Sequence, residues 1–312
     1  MRPAADGAAA PPLAQAAVVA LSTYFVAVWG AGFVASRIAL QHAAPFSYIG
    51  VRYAIALAVA LLAFGLGARW PQSARQWGHV AVAGLLSHAG YLGGSHYAQR
   101  WGLSAAVTAL VLALQPLLTA LIVSRWLHER LATAQRIGIG VGLAGVALVV
   151  GERALAGTAS LASLGAIVVS LLCVTAGTLY QREFCAATDL RAAVCIHFAA
   201  TALVMLPLGV VVEHFDVHWN GALAAALVYH VVLGSIGAYS ILHVLMRHGQ
   251  ATGVTSLLYL TPPVAALVEW AFFRVAPTPT MWLGMAVACV GVAMTSVVGA
   301  RLARGTLVEE RS

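Results

Sequence analysis

The chain has 312 residues, of which 61% are apolar and only 9% are charged. A soluble domain has roughly 45–50% apolar and about 25% charged residues, and an apolar excess of this size cannot be buried in one water-soluble core. The composition therefore excludes a soluble protein and a disordered one. It predicts a helical protein that crosses a membrane several times.

Ten apolar runs follow one another along the chain, and each is close to the length of about 20 residues that a membrane-spanning helix needs. We expect the spans at 14–36, 46–66, 77–99, 103–125, 133–151, 162–182, 190–212, 219–243, 251–273 and 281–300. The connections are too short to hold a folded domain outside the membrane. The expected fold is an all-α polytopic membrane protein with ten transmembrane helices and short tails at 1–13 and 301–312.

The positive charges predict the orientation. All seventeen basic residues are Arg, and they are dispersed between the apolar runs, which argues against nucleic-acid binding. If the N-terminus is cytoplasmic, twelve arginines lie in cytoplasmic segments and four on the opposite face, with Arg52 inside the second span. Because cytoplasmic loops of membrane proteins are enriched in Arg, we expect a multi-pass protein of the cytoplasmic (inner) membrane with both termini cytoplasmic.

The two halves of the chain resemble each other at a near-constant offset. Segments 102–116 and 249–263 align at an offset of 147, which brings Pro116 onto Pro263, and the glycines of the fifth and tenth spans align at an offset of 146. Chance similarity between Ala/Leu/Gly-rich helices is the alternative. The order of the matches favours a repeat.

The repeat predicts two five-helix units, 14–151 and 162–300, joined by a loop at 152–161. Because five is an odd number of spans, the second unit would enter the membrane from the opposite side. Such inverted repeats are the physical basis of alternating access, in which two similar halves exchange conformations around one central site.

Several motifs then point to a family. Residues 29–33 read Trp-Gly-Ala-Gly-Phe, 45–53 read Pro-Phe-Ser-Tyr-Ile-Gly-Val-Arg-Tyr, and 115–120 read Gln-Pro-Leu-Leu-Thr-Ala, with glycines at 138 and 145. Over about residues 20–300 the chain resembles the EamA-type branch of the drug/metabolite transporter superfamily. The resemblance implies ten helices, cytoplasmic termini and secondary transport of small metabolites, often by export.

Three prolines lie near the middle of expected spans four and nine, namely Pro116, Pro262 and Pro263. A proline inside a helix removes one backbone hydrogen bond and kinks the helix, and in lipid the freed carbonyl must find a partner or face a cavity. We interpret the three prolines as cavity-lining hinges, with passive kinks that shape packing as the alternative.

Two charged residues, Arg52 and Glu269, fall inside expected spans two and nine, both in the outer half of the membrane. A charge at this depth faces the bundle interior or a partner. The two residues could pair, bind opposite ends of a zwitterionic substrate, or extend to the outer headgroups. With the aromatic and amide side chains of the spans, the candidate substrate-binding residues are Trp29, Arg52, Tyr97, Gln115, Tyr239, Tyr259 and Glu269.

Histidines inside the spans are candidates for proton coupling because His titrates near neutral pH. The candidates are His88, His197 and His230, together with Glu269, although ordinary packing is the alternative for each. No His pair has metal-ligand spacing with a carboxylate, and the four dispersed Cys residues read as small buried hydrophobes, so we expect no metal and no cofactor. Glycine faces in spans five and ten predict close packing, within the bundle or between the copies of a homodimer.

These features predict a secondary transporter that moves a small organic metabolite across a lipid bilayer by alternating access. With few charges in the interior, an amino acid or a similar compound is the expected substrate, and export is the favoured direction. A membrane-embedded enzyme that uses intramembrane His and Glu residues is the alternative. Against it, the sequence contains no Gly-x-Ser-x-Gly and no His-Glu-x-x-His motif.

Overall fold

The structure, a computed structural model, describes residues 15–126, 131–238, 241 and 258–309. Within these ranges the regular structure is helical, apart from one isolated β-bridge between Ala43 and Val217. The α-helices are α1 Gln15–Ala39, α2 Pro45–Phe64, α3 Ala74–Gly84, α4 Tyr91–Arg100, α5 Ala105–Leu112, α6 Gln115–Trp126, α7 Thr133–Leu155, α8 Leu161–Phe184, α9 Leu190–Glu213, α10 Gly221–Val228, α11 Thr261–Phe273 and α12 Pro279–Glu309.

Four short segments extend or join these helices. A π-helix at Leu85–Gly90 links α3 to α4, and a second π-helix at Tyr229–Ala238 continues α10. Two 3-10 turns, Gly65–Gly67 and Leu258–Leu260, follow α2 and precede α11. π-Helical turns are rare and are frequently found at functional sites.

The prediction of a polytopic helical membrane protein is confirmed. Six helical stretches of the described chain are long and apolar enough to cross a membrane: Gln15–Ala39, Pro45–Gly67, Ala105–Trp126, Thr133–Leu155, Leu161–Phe184 and Leu190–Glu213. Shorter apolar helices cover Gly221–Ser235 and Pro279–Thr295. The count of ten spans stays a prediction, because expected spans three, eight, nine and ten correspond to shorter or less apolar helices and part of spans eight and nine falls outside the described residues.

Side-chain caps fix where several helices begin. The hydroxyl oxygens of Ser73, Ser104 and Ser160 accept from a backbone N–H three residues later, at 3.0–3.2 Å. At the start of α9 the Asp189 carboxylate accepts from the N–H of Arg191 at 2.8 Å, and at the start of α10 the Asn220 side-chain carbonyl accepts from the N–H of Leu223 at 2.9 Å. Each cap satisfies a backbone donor that the first turn of a helix leaves free. Each of these helices therefore begins at a defined residue.

Helices from the two halves of the chain pack against each other throughout the bundle. α2 lies along α9, α4 along α8, α1 along α11, and α7 along α12. Leu110, Ile167 and Met285 lie in the largest buried apolar cluster, which joins both halves. Large apolar side chains such as Leu62 and Val211 are exposed on the outside, as expected of a surface that faces lipid tails rather than water.

The glycine faces of the fifth and tenth expected spans cover each other within one chain. A Cβ at Gly138 would lie 2.6 Å from the carbonyl oxygen of Gly291, and one at Gly145 would lie 2.6 Å from that of Gly284. Such distances require glycine. Of the two interpretations of these faces, packing inside the bundle is therefore the one that the structure shows, and the faces are not free to pair with a second copy.

Candidate functional site

A cavity of about 280 Å³ lies between the helices of the two halves. This is near the lower end of the volumes of small-molecule sites. Its walls come from α1, α2, the first π-helix, α4, α5, α6, α8, α9, the second π-helix and the start of α11. Trp29, Phe33 and Tyr91 contribute aromatic surface, and Gln99 and Gln181 contribute amides.

The cavity brings together about half of the residues that the sequence singles out. Six of them line it: Trp29, Arg52, His88, Gln115, Pro116 and His230. Six others lie elsewhere: Tyr97, His197, Tyr259, Pro262, Pro263 and Glu269. Tyr239 lies outside the described residues.

Among the described residues that line the cavity, Arg52 is the charged one. It is the eighth residue of α2 and is only 9% exposed. Its Nε atom is buried without a hydrogen-bond partner, and its guanidinium carbon lies 5.3 Å from the centre of the Tyr53 ring. Among the residues that the structure describes, no carboxylate forms an ion pair with Arg52.

Two tyrosine–histidine pairs flank Arg52 on α2. The hydroxyl of Tyr48 lies 2.6 Å from Nδ1 of His230, and the hydroxyl of Tyr53 lies 2.8 Å from Nδ1 of His88. Because Nε2 of His230 lies 3.1 Å from a backbone carbonyl, at Gly32, Nε2 carries the proton and Nδ1 accepts from Tyr48. Both histidines lie in π-helical turns, which set the two rings against the cavity.

His197 lies behind His88, away from the cavity wall. The centres of the two imidazole rings are 5.5 Å apart, and Nε2 of His197 is buried without a partner. In the described part of the chain, no group of three or more His, Cys, Asp or Glu residues could hold a metal ion.

Glu269 acts on a helix start rather than on the cavity. Its two carboxylate oxygens accept from the backbone N–H groups of Ala105 and Ala106, each at 3.0 Å, and Arg37 forms an ion pair with it. Of the alternatives for Glu269, direct pairing with Arg52 is not what the structure shows, because its ion-pair partner is Arg37. The first N–H groups of a helix attract a carboxylate, and Arg37 at the end of α1 supplies the positive charge.

Glu213 binds a second helix start in the same way, and the sequence did not predict it. We refer to the contacts of Glu269 and Glu213 with these helix starts as carboxylate clamps. Glu213 accepts from the backbone N–H of Phe46 at 2.9 Å and from the N–H and hydroxyl of Ser47, both at 2.8 Å. Tyr97 donates to the same carboxylate at 2.6 Å, which explains why its side chain lies away from the cavity. The position of Glu213 at the end of an apolar run could have marked it as a candidate. The sequence alone does not predict which groups it binds.

Both carboxylates lie at the same end of the bundle, where α1, α4, α9 and α11 end and α2 and α5 begin; we refer to it as the clamp end. Loop contacts join the two halves there as well. The N–H of Ala44 donates to the carbonyl of Asp216 at 2.9 Å, and the N–H of His218 donates to the carbonyl of His42 at 2.7 Å.

Each of the three prolines lies in the first turn of an α-helix, directly after an interruption of the α-helical structure, and their role as cavity-lining hinges stays a prediction. α5 ends at Leu112, a turn follows, and Pro116 is the second residue of α6. Pro262 and Pro263 are the second and third residues of α11. A proline is tolerated in the first turn because its missing N–H would have no partner there.

Tyr259 lies in the apolar core, where its carbonyl accepts from the Cys289 sulfhydryl at 3.0 Å. Pro263 lies four residues later and has no N–H, so this carbonyl lacks the donor that a continuous helix would supply. The expectation that such a group must find a partner in the membrane therefore holds at this position.

Comparisons with known proteins agree with this architecture. The sequence profile described as the EamA-like transporter family matches residues 16–151 and again 161–297. A solved crystal structure of a protein 21% identical in sequence aligns with a TM-score of 0.63 over 93% of this chain and 99% of that one. At this identity the likeness concerns the fold alone.

Two curated relatives are transporters by name. A "Probable terminal-alkyne amino-acid exporter" of Streptantibioticus cattleyicolor is 27% identical over 274 residues, which cover 86% of this chain and 89% of the relative. An "Uncharacterized transporter YvbV" of Bacillus subtilis is 22% identical over 270 residues, 85% of this chain and 87% of the relative. The family profile covers most of the chain, so the protein belongs to the EamA-like transporter family.

Proposed function

We propose that this chain is a secondary transporter that exports an amino acid or a similar small organic metabolite across the cytoplasmic membrane by alternating access. The observation that carries the proposal is the cavity between the two halves, with Arg52 in its wall and with carboxylate clamps holding the halves together at one end. A central site closed at one end is what alternating access requires of each of its end states.

The alternative of a membrane-embedded enzyme is set aside. The chain is a transporter of its family, and its relatives are named as transporters.

The proposed two inverted five-helix repeats draw support from two sources. The family profile matches twice in succession, at 16–151 and 161–297. The close packing of α2 with α9 and of α7 with α12 pairs helices that occupy equivalent places in the two proposed repeats.

The proposed orientation places the clamp end outside the cell. Four arginines lie at or just beyond helix ends at the clamp end: Arg37, Arg100, Arg153 and Arg274. Six with described side chains lie at the other end: Arg69, Arg75, Arg125, Arg136, Arg182 and Arg191. Since Arg accumulates on the cytoplasmic side, both termini would be cytoplasmic and the structure would be closed toward the outside.

The proposed substrate class follows from the size and chemistry of the cavity. A volume of about 280 Å³ suits one small molecule. The described part of its wall combines the Arg52 cation with several aromatic and neutral polar side chains. The similarity to a protein named as an amino-acid exporter supports an amino acid and supports export as the direction.

Proton coupling is part of the proposal, with His88, His197, His230 and Glu269 as candidates. His88 and His230 line the cavity, and His197 lies against His88. Replacing a coupling residue by Gln should abolish transport driven by a pH gradient while leaving substrate exchange intact. If all four Gln variants respond to the gradient like the unmodified protein, none of these residues couples proton movement to transport.

Counterflow in proteoliposomes tests the proposal. Vesicles that contain the purified protein are preloaded with an unlabelled compound, and a trace of the same compound in labelled form is then added outside. The compounds tested are the L-amino acids, their decarboxylated and deaminated analogues, sugars and nucleosides. We expect accumulation of one or more amino acids above protein-free vesicles, at some combination of pH and Na⁺. If no compound in this set exchanges, the proposed function is wrong.

A further inference from the structure

We propose that Arg52, His96 and Gln99 form a subsite that binds the carboxylate and the ammonium group of an α-amino acid. The inference rests on the proposed function and deepens it, because it names the part of the substrate that the protein recognises. All three side chains line the central cavity.

Three buried polar atoms without partners define the subsite. They are Nε of Arg52, Nε2 of His96 and Oε1 of Gln99. Arg52 and Gln99 are each 9% exposed, and His96 is 1% exposed. Buried polar atoms in proteins almost always have hydrogen-bond partners, so three unpartnered atoms on one cavity wall indicate a ligand that supplies them.

Tyr48 connects His96 to the helix that carries Arg52. Its ring stacks on that of His96, with centroids 5.9 Å apart and an angle of 25° between the planes. Tyr48 precedes Arg52 by one turn of α2 and therefore shares its face. His96 and Gln99 are three residues apart on α4, so they too lie on a common face.

Arg52 requires an anion that the described residues do not provide. Glu213 and Glu269 bind helix starts, Asp189 caps α9, Glu152 accepts from Thr278 and Asp216 lies against His218. Glu183 is exposed at the end of the bundle opposite the clamp end. A guanidinium buried at this depth without a carboxylate is costly, and a substrate carboxylate would bind it through two parallel hydrogen bonds.

His96 is arranged as a hydrogen-bond acceptor. The hydroxyl of Ser95 donates to the carbonyl of Leu92 at 3.1 Å, and its oxygen lies 3.3 Å from Nδ1 of His96. Because that hydroxyl proton is already used, Nδ1 carries a proton and donates to the Ser95 oxygen. Nε2 of the neutral ring therefore keeps its lone pair.

The subsite thus presents one cationic donor and two neutral acceptors. Oε1 of Gln99 is the second acceptor beside Nε2 of His96. A carboxylate satisfies Arg52, and an ammonium group satisfies the two acceptors. An amine without a carboxylate, or an acid without an ammonium group, leaves part of the subsite unpaired, which is a strong source of discrimination.

The remainder of the cavity fits the side chain of such a substrate. Trp29, Phe33, Tyr91 and Phe198 line the same cavity. Aromatic surface of this kind binds apolar groups without demanding a particular hydrogen bond. The subsite would therefore select the amino-acid headgroup, and the aromatic wall would set which apolar side chains are tolerated.

The test measures affinity by competition in the counterflow assay, with L-phenylalanine, 2-phenylethylamine and 3-phenylpropionate as probes. The unmodified protein should prefer the amino acid over both analogues. Arg52→Gln should weaken binding of the amino acid roughly 10- to 100-fold and abolish its advantage over the amine. His96→Phe and Gln99→Leu should abolish its advantage over the acid while keeping the advantage over the amine.

Arg136→Gln, at an exposed position on α7, is the matched control and should leave all three affinities unchanged. If Arg52→Gln does not fold, as judged by size-exclusion chromatography, Arg52→Lys keeps the charge without the guanidinium and should still weaken amino-acid binding. Retained discrimination in Arg52→Gln, or undiminished amino-acid binding in Arg52→Lys, would overturn the inference. Transport of the amine or the acid, but of no amino acid, would also overturn it while leaving the proposed function standing.

Discussion

Glu269 on α11 binds Arg37 on α1, and with the same carboxylate it holds the first N–H groups of α5. One buried side chain therefore joins three helices. Glu269 is 5% exposed at its side chain and Arg37 is 32% exposed, so the pair is only partly screened by solvent.

Glu269→Gln should lower the free energy of unfolding by about 1–3 kcal/mol, because it removes the charge that both Arg37 and the start of α5 attract. Thermal denaturation in detergent measures the change. Glu183→Gln, at an exposed position, is the control and should have little effect. Equal stability of the two variants would mean that Glu269 contributes no more than a surface residue.

Weakening the second clamp should open the clamp end. Glu213→Gln removes the charge that binds the start of α2 and the Tyr97 hydroxyl. In a background without the native Cys residues, a Cys at Ser36, on the cavity wall, should then react several-fold faster with a membrane-impermeant thiol reagent added outside. Unchanged labelling would show that this clamp does not control access to the cavity.

Gly145→Ala should destabilise the protein by about 2 kcal/mol or more, since a Cβ there would lie 2.6 Å from the Gly284 carbonyl oxygen. Gly140→Ala on the same helix meets no atom within 4 Å. That variant should be neutral or more stable by roughly 0.5–1 kcal/mol, from helix propensity alone. A smaller loss for Gly145→Ala than for Gly140→Ala would contradict the close packing of α7 and α12.

Pro116→Ala should insert and fold normally but transport more slowly. The substitution lets α5 and α6 join into one continuous helix and removes the break beside the cavity. Counterflow rates and size-exclusion profiles of the variant and the unmodified protein measure the two effects. Normal rates would mean that the break at residues 113–114 serves packing alone.

Cysteine labelling tests the orientation. In a Cys-free background, single Cys residues at Ala156 and His218 lie in loops at the clamp end, and one at Gln72 lies in a loop at the other end. An impermeant reagent added to intact cells should label the first two and not the third. The opposite pattern would reverse the proposed topology.

The sequence predicted the cavity better than it predicted the clamps. Arg52, His88 and His230 drew attention because a polar group inside an apolar run must face the bundle interior, and all three line the cavity. That rule fixes a side chain's general direction but not its partner. Glu269 also faces the bundle interior, but it binds the start of a helix that lies 164 residues away along the chain.

His96 and Gln99 illustrate the remaining limit. Both lie near the end of an expected span, where polar residues are common. Their presence in the same cavity lining as Arg52 depends on how α4 packs against α2. Periodicity within one helix cannot specify a contact between two helices, so these residues stood out only in three dimensions.

Each carboxylate clamp joins residues that are far apart in the chain, and this separation affects how the protein folds during synthesis. The hydrogen bond from the N–H of Ser47 cannot form until Glu213, 166 residues later in the chain, has been synthesised. At synthesis rates of about 5–20 residues per second, the interval is roughly 10–30 s. During this interval the backbone N–H groups in the first turn of α2 must form hydrogen bonds with water or lipid headgroups, because the hydrocarbon core of the membrane has no acceptors. The newly made first half would therefore keep the beginnings of α2 and α5 at the membrane surface until the second half arrives.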